Sequence, residues 1–271
     1  MAIQSGFGKV SVFEDFMGYA ATASVADATG GTRFNDLTFV AVSGAVDVIG
    51  TVDETCGVMS FSGAGGAGDG MAIFTSPFQP SAMGPITMEA RFKGGSATDL
   101  RIFVGWQETV SLTETVNPFT LSNTTLTSND GGNVFGFYAD SGATTDDFRL
   151  HASLDGTELT TAGVSVGLGS PSSTSTTLGA LGIRAGVTLT ADSWYVARVV
   201  INPDGTGEGY FGHTTMAGAL SPRLVGRLTT SGTLDQTALY YPVLLLLCES
   251  TGDPLMECDY FGAVGHRDWA A

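Results

Sequence analysis

The stretch WYVARVVINPDGTGEGYFGH, residues 194–213, restricts the possible folds of this chain more than any other segment. Successive side chains of a strand point to opposite faces, so the first half predicts a strand with apolar residues on both faces. One face carries Tyr195, Ala197, Val199 and Ile201, and the other carries Trp194, Val196, Arg198 and Val200. A turn follows at Asn202-Pro203-Asp204-Gly205, because proline presets φ at its second position and glycine closes it. We therefore predict a β-hairpin that lies inside an antiparallel sheet, with both faces of its first strand mostly covered.

Other segments repeat the strand pattern at hairpin spacing, and no long amphipathic helix interrupts them. Residues 86–93 alternate apolar and polar side chains, and residues 148–155 do so up to Asp155-Gly156, a hairpin signal. We predict an all-β fold, a two-sheet antiparallel jelly-roll sandwich. Residues 1–13 would be an N-terminal arm or edge segment and residues 14–271 a single domain. Two polar excursions, residues 108–133 and 157–181, would lie on its surface.

The charge of the chain argues against several classes of partner. Acidic residues number 27 against 11 basic ones, which gives a net charge of −16. Such a chain repels nucleic-acid phosphates and anionic lipids, so we predict neither nucleic-acid nor membrane binding. The first 16 residues carry no continuous apolar run of the kind that a signal peptide needs. Charged residues make up only 14% of the chain, so small and hydroxyl side chains must cover the surface, as in proteins that form assembly contacts.

The three cysteines, Cys56, Cys248 and Cys258, show no metal-ligand spacing. Residues 241–249 and 255–261 read as a hairpin, which would place Cys248 opposite Cys258 and allow a cross-strand disulfide. Two buried thiols are the interpretation we favour, because no export signal precedes them.

Familiar site motifs are absent or incomplete. Gly63, Gly65 and Gly68 match G-x-G-x-x-G, but a strand pattern follows them where a dinucleotide site needs a helix. The three histidines occur in unrelated contexts and are expected to be structural: His151, His213 and His266. Zinc has no paired ligands to start from. Calcium has two candidate sets of oxygen ligands, although turn formation explains both: Asn129, Asp130 and Asn133, or Asp146 and Asp147.

One carboxylate pair fits a catalytic pattern in part. Glu257 and Asp259 are two residues apart and so share one face of a strand. Retaining glycosidases on sandwich folds use E-x-D-x-x-E, because hydrolysis requires two carboxyl groups across the scissile bond. Here the third position is Gly262, so the acid/base residue is missing. We expect no catalytic residues, no cofactor and no metal.

Several stretches resemble a known family of folds. They are similar to concanavalin A-like and laminin G-like jelly rolls, and in particular to the form found in structural proteins of tailed bacteriophages. The resemblance covers roughly residues 55–269 and rests on PITMEARFK from Pro85, Gly105-Trp106, VFGFY from Val134, LTADSWYVAR from Leu189, Asn202-Pro203-Asp204-Gly205, and DYFG from Asp259. These motifs mark strands and turns and include no active site.

The resemblance implies a non-enzymatic virion component, assembled in the host cytoplasm. We therefore expect a capsid decoration or cement protein that stabilises the shell through surface contacts with the major capsid protein or another virion protein, as a homo-oligomer. A carbohydrate-binding module of a fibre or surface protein is the first alternative, although no cation-plus-aromatic sugar site can be recognised in the sequence. A degenerate glycoside hydrolase is the second alternative.

Overall fold

A computed structural model describes residues 9–16, 23–25, 32–42, 46–50, 57–62, 66–94, 100–110, 118–122, 125–129, 132–142, 147–166, 182–213, 222–249 and 255–266. Within these ranges the chain is built from strands and one short helix, α1 (Pro80–Met83). The strands, in chain order, are β1 (Lys9–Glu14), β2 (Ala23–Val25), β3 (Thr32–Phe34), β4 (Leu37–Val42), β5 (Val46–Gly50), β6 (Met59–Ser62), β7 (Gly70–Phe74), β8 (Ile86–Gly94), β9 (Leu100–Gln107), β10 (Phe119–Ser122), β11 (Thr125–Ser128), β12 (Val134–Asp140), β13 (Asp147–Leu154), β14 (Thr157–Glu158), β15 (Val164–Val166), β16 (Ile183–Thr188), β17 (Trp194–Ile201), β18 (Gly207–His213), β19 (Arg223–Leu228), β20 (Tyr241–Cys248) and β21 (Leu255–His266).

The strands form two large antiparallel sheets that face each other. Sheet A has the order β15-β19-β18-β17-β8-β21-β6-β5-β2, and β1 also pairs with β21. Sheet B has the order β14-β13-β12-β9-β20-β7-β4-β3, and β16 also pairs with β13. This arrangement confirms the predicted all-β jelly-roll sandwich. No helix in the ranges given above is long and apolar enough to cross a membrane.

The predicted central hairpin is present as β17 and β18. Strand β17 pairs with β18 on one side and with β8 on the other, so it lies inside sheet A as expected. Its inward residues are fully buried, but on its outward face only Val196 is buried. The prediction that both faces are mostly covered is therefore wrong for the outer face, where Trp194, Arg198 and Val200 remain partly exposed.

The core lies between the inner faces of the sheets and contains a hydrogen bond that joins them. Trp106 on β9 is fully buried, and its indole Nε1–H donates to the backbone oxygen of Val199 on β17 over 3.0 Å. A buried indole needs such an acceptor, because an unpaired N–H would lose its hydration without replacement. The edge of Phe78 packs against the same indole at 5.6 Å between ring centroids. This bond fixes β9 of sheet B against β17 of sheet A.

Strands β20 and β21 do not form the hairpin predicted for them. Strand β20 pairs with β7 and β9 in sheet B, whereas β21 pairs with β8, β6 and β1 in sheet A. The segment between them crosses from one sheet to the other, which local turn signals do not reveal. Cys248 and Cys258 are accordingly buried free thiols on different sheets, as the favoured interpretation had it. Cys56 lies outside the ranges that the structure describes.

Sheet B has a second, smaller core on its outer face. The hairpin β10–β11, part of the excursion at residues 108–133, covers this face and inserts Phe119, which is fully buried. The ring of Phe119 meets Phe103, Tyr138 and His151 at centroid distances of 6.1, 6.1 and 5.0 Å. The described part of this excursion therefore forms a third layer on sheet B.

The remaining predictions concern shorter segments of the chain. Residues 9–13 of the predicted arm or edge segment belong to β1, which pairs along β21. The excursion at residues 157–181 contributes β14 and β15, and its residues 167–181 lie beyond the described ranges. Asp155 and Gly156 both have positive φ and close the predicted turn between β13 and β14. Gly68 is followed by strand β7, as predicted, while Gly63 and Gly65 are outside the description.

Gly105 on β9 and Gly136 on β12 leave space for the Phe103 ring on the outer face of sheet B. A Cβ at Gly136 would lie 2.5 Å from the Val104 oxygen, 2.7 Å from the Gly105 Cα and 2.8 Å from the Phe103 ring. We expect Gly136→Ala to lower the free energy of unfolding by about 3 kcal/mol, because backbone atoms of a neighbouring strand must move. Urea unfolding measures this change. Gly163→Ala is the control and should change stability by less than about 0.5 kcal/mol, since its Cβ would meet only hydroxyl side chains at 3.3 Å and beyond. Equal effects of the two substitutions would contradict the proposed clash.

Candidate functional site

The outer face of sheet A presents polar and aromatic side chains in register across five strands. One row passes from Tyr210 on β18 through Arg198, Glu89 and Gly262 to Phe13 on β1. Adjacent strands lie about 4.8 Å apart, so this row spans about 19 Å. Because the strand backbones already bond to one another, a ligand on this face would meet side chains.

A groove of about 460 Å³ follows this row. Its lining combines rings, hydroxyls and one ion pair: Ser11, Val12, Phe13, Thr87, Glu89, Arg198, Val200, Tyr210, Tyr260, Gly262, Ala263 and Val264. Gly262 has no side chain to fill the space between Tyr260 and Val264, so it deepens the groove at its centre. Phe13 is 50% exposed at one end, and its ring lies 5.8 Å from that of Tyr260.

Glu89 is held at the centre of the groove from two sides. Arg198 Nε donates to Glu89 Oε2 at 2.5 Å, and the Tyr260 hydroxyl donates to Glu89 Oε1 at 2.6 Å. Burial, followed by the Glu89 carboxylate, raises the pKa of Tyr260, so its hydroxyl stays protonated and able to donate. The carboxylate retains lone pairs that can accept further hydrogen bonds from a ligand.

The other end of the groove has a second pair of the same kind. Tyr210 donates its hydroxyl hydrogen to Glu208, which also forms an ion pair with Arg227 at 2.7 Å. Burial, with the Glu208 carboxylate as the next cause, raises the pKa of Tyr210. The hydroxyl of each tyrosine is thus held by a carboxylate, and both side chains line the groove.

Further along the same face, Trp194 stands among four charged groups. The Arg91 guanidinium lies over its ring at 4.5 Å and the Lys93 ammonium at 5.2 Å. Lys93 pairs with Glu257 at 2.7 Å, and Arg91 pairs with Asp259. Each cation beside Trp194 is therefore matched by a carboxylate, although the whole chain carries −16.

The predicted carboxylate pair lies beside the groove. Glu257 and Asp259 do share the outer face of β21, as the ion pairs with Lys93 and Arg91 show. A bulge between Cys258 and Tyr260 then shifts the alternation by one residue, so Tyr260 and Gly262 also face outward. Gly262 lies directly across from Glu89 of β8. The groove thus contains a carboxylate at its centre, but it comes from a neighbouring strand.

The histidines are not brought together. His151 is buried on the outer face of sheet B, and burial lowers its pKa to about 3. His213 stacks on Tyr195 at 4.9 Å, and burial lowers its pKa also. His266, at the end of β21, lies opposite Lys9 in the register of β1 and β21.

The calcium candidates are occupied by structural contacts. Asn133 donates to Glu108 and accepts from the Asp155 backbone, while Asp147 pairs with Arg184. Asn129 closes the base of the β10–β11 hairpin through its backbone. Asp130 and Asp146 are outside the described ranges. Among the residues that the structure describes, no group of three histidine, cysteine, aspartate or glutamate side chains could hold a metal ion.

Sequence reasoning missed most of the groove. The wet face of residues 86–93 was visible as an alternation, but nothing local shows that Glu89 faces Arg198 on one side and Gly262 on the other. Phe13, Tyr210 and Tyr260 come from three further strands, so only the sheet order could have assembled them.

No protein-family model matches the chain, and no curated protein matches it by sequence. A solved structure of a Shewanella oneidensis MR-1 protein of unknown function has a similar fold, with a TM-score of 0.54 and 14% identity over 100% of this chain and 91% of that one. Less similar, each with a TM-score of 0.48, are a β-1,3-glucanase from Mycobacterium marinum and the carbohydrate recognition domain of Emp47p. The glucanase is 14% identical over 96% of this chain and 100% of its own, and the Emp47p domain 10% identical over 90% and 95%. The predicted jelly-roll resemblance holds at the level of the fold, and none of these similarities links the chain to a bacteriophage.

The ion pairs on this face differ in exposure, which predicts a difference in strength. Lys93 and Glu257 are 16% and 17% exposed, against 47% and 18% for Arg227 and Glu208. A double-mutant cycle with Lys93→Met and Glu257→Gln should give a coupling of about 1 kcal/mol in urea unfolding, because solvent screens this pair less. The matched cycle with Arg227→Gln and Glu208→Gln should give about 0.3 kcal/mol. A larger coupling energy for Arg227 and Glu208 than for Lys93 and Glu257 would contradict the expected effect of exposure.

Proposed function

We propose that the protein binds carbohydrate, without cleaving it, in the groove on the outer face of sheet A. The observation that carries the proposal is the placement of two tyrosine rings and an exposed phenylalanine around a carboxylate–guanidinium pair. A sugar ring has apolar C–H faces and a rim of hydroxyl groups. Aromatic rings pack against the first, while charged hydrogen-bonding groups bind the second.

The shape of the groove favours a chain of sugars over a single ring. The row from Tyr210 to Phe13 crosses five strands, with Gly262 between Glu89 and Phe13. An extended oligosaccharide lying across the strands would reach the rings at both ends and Glu89 in the middle. A peptide would instead be expected to pair with a free sheet edge, where backbone groups can bond to it.

The charges of this face support a neutral ligand. The cations Arg91, Lys93, Arg198 and Arg227 are each paired with a carboxylate, so none is free to attract phosphates or sulfates. The net charge of −16 also disfavours polyanions.

The absence of catalysis is part of the proposal. A glycosidase of this kind needs one carboxyl group that donates a proton and a second that attacks or activates water. Glu89, Glu257 and Asp259 are each already engaged in an ion pair with a cation.

A virion role stays a prediction that rests on composition and on the sequence resemblance. Neither the groove nor the strand order favours attachment to a capsid over any other location. A carbohydrate-binding domain is compatible with a fibre or surface protein, the first alternative that the sequence suggests. Homo-oligomer formation and contact with a major capsid protein likewise stay predictions.

We expect Tyr260→Ala and Tyr210→Ala each to weaken oligosaccharide binding about 10-fold, which corresponds to about 1.4 kcal/mol. A glycan array, measured with and without calcium, would identify ligands, and calorimetry on the best of them would give the affinities. Tyr241→Ala is the matched control, because Tyr241 lies on sheet B and packs against Phe74 there. An array that stays blank with and without calcium, or equal losses for Tyr241→Ala and Tyr260→Ala, would refute the proposed site.

The wild-type protein should release no new reducing ends from the oligosaccharides that it binds. Glu257→Gln should leave this result unchanged, because Glu257 pairs with Lys93 and lines no part of the groove. Chromatography of the sugars after long incubation tests the expectation. Cleavage that disappears in Glu257→Gln would instead establish a glycoside hydrolase.

A further inference from the structure

We propose that the β10–β11 hairpin is an acid-sensitive latch: protonation of His151 releases Phe119 and uncovers the apolar outer face of sheet B. This face is separate from the groove, so the proposal does not depend on carbohydrate binding. It rests on how the hairpin is attached and on what lies beneath it.

Side chains attach the hairpin to sheet B. Strands β10 and β11 pair with each other as a separate two-stranded sheet. Phe119 and Leu126 insert into the outer core, and Ser128 bonds to Glu158 on β14 and to Ser153 on β13. Contacts of this kind can open locally while the two main sheets stay intact.

Phe119 closes directly over His151. The rings meet edge to face at 5.0 Å, and His151 is fully buried. Within the described ranges, neither ring nitrogen has a hydrogen-bond partner. A neutral imidazole tolerates this site, but an imidazolium would carry two N–H donors and a charge into it without compensation.

The surrounding groups offer His151 no counter-charge. Burial is the sole cause of the low pKa of about 3, so no neighbouring charge shifts it. Strand β13 carries Asp147 and Arg149, β12 carries Tyr138 and Asp140, β16 carries Arg184, and the segment before β16 contributes the backbone of Gly182. Strands β10 and β11 have no ionisable residue, Asp147 already pairs with Arg184, and Glu158 on β14 accepts from the Ser128 backbone.

The direction of the pH effect follows from these values. The closed state binds the His151 proton only near pH 3, whereas an exposed histidine binds it near pH 6.5. Closure is therefore fully favoured above about pH 6.5 and weakens as the pH falls toward 3. At pH 4.5 the open population should be about 100-fold larger than at pH 7. The reason is that pH 4.5 lies about two units below the pKa of the exposed histidine, so the open state is protonated there.

Hydrogen exchange followed by mass spectrometry tests the latch in the full chain. Between pH 7 and pH 4.5, and after correction for intrinsic rates, opening of residues 118–129 should rise about 100-fold. Exchange of residues 134–140 in β12 should stay slow, and binding of a hydrophobic dye should increase. His151→Phe should hold the hairpin closed across this range, and Phe119→Ala should bind the dye already at pH 7.

Two control variants isolate the cause. His266→Gln should behave as the wild type, since His266 lies on sheet A. Glu158→Gln keeps an acceptor for Ser128 without a charge, so it should retain the pH dependence. Opening that does not depend on pH, or that persists in His151→Phe or vanishes in Glu158→Gln, would overturn the proposal. If His151→Phe fails to fold, the wild type decides alone: residues 118–129 must open at a higher pH than residues 134–140.

Discussion

The register of β8 between β17 and β21 is the constraint on which the groove depends. With this register, Glu89, Arg91 and Lys93 each face a partner on a neighbouring strand, and Ile86, Met88, Ala90 and Phe92 fill the core. A slip of one residue would send the three charges inward and the apolar residues into water. Core burial therefore fixes the positions of the charged groups, and the ion pairs add specificity to an alignment that is already required.

The two outer faces of the sandwich differ in polarity. In the described part of the chain, the outer face of sheet A carries the groove and four ion pairs, and its polar groups are partly exposed. Sheet B carries apolar residues outward, including Phe103, Tyr138 and Leu245, and needs a third layer to cover them. Glycines at 105 and 136 make room for the Phe103 ring on that face, and a Cβ at Gly262 would approach the Phe13 ring to 3.1 Å.

The sequence was most informative where the deciding contacts are local. The alternation in residues 86–93, the turn at Asn202-Pro203-Asp204-Gly205 and the Asp155-Gly156 turn each depend on a few adjacent residues, and each was predicted correctly. The shared face of Glu257 and Asp259 also follows from strand period alone. The bulge at Asp259 does not, and without it the outward positions of Tyr260 and Gly262 cannot be derived. The crossing between β20 and β21 was likewise missed, because a buried apolar strand can belong to either sheet.

The place of β21 in sheet A has a consequence for synthesis of the chain. Strand β21 follows every other described strand in sequence, yet it pairs with β8, β6 and β1, the last of which lies at residues 9–14. Sheet A therefore cannot complete its middle until β21 has left the ribosome, and contacts of such long sequence separation form slowly. Until then β8 and β6 each have one neighbour, β17 and β5, and β1 lacks its partner β21. The pairing of β21 with β1 joins the last described strand to the first, so we expect it to be a late step in folding.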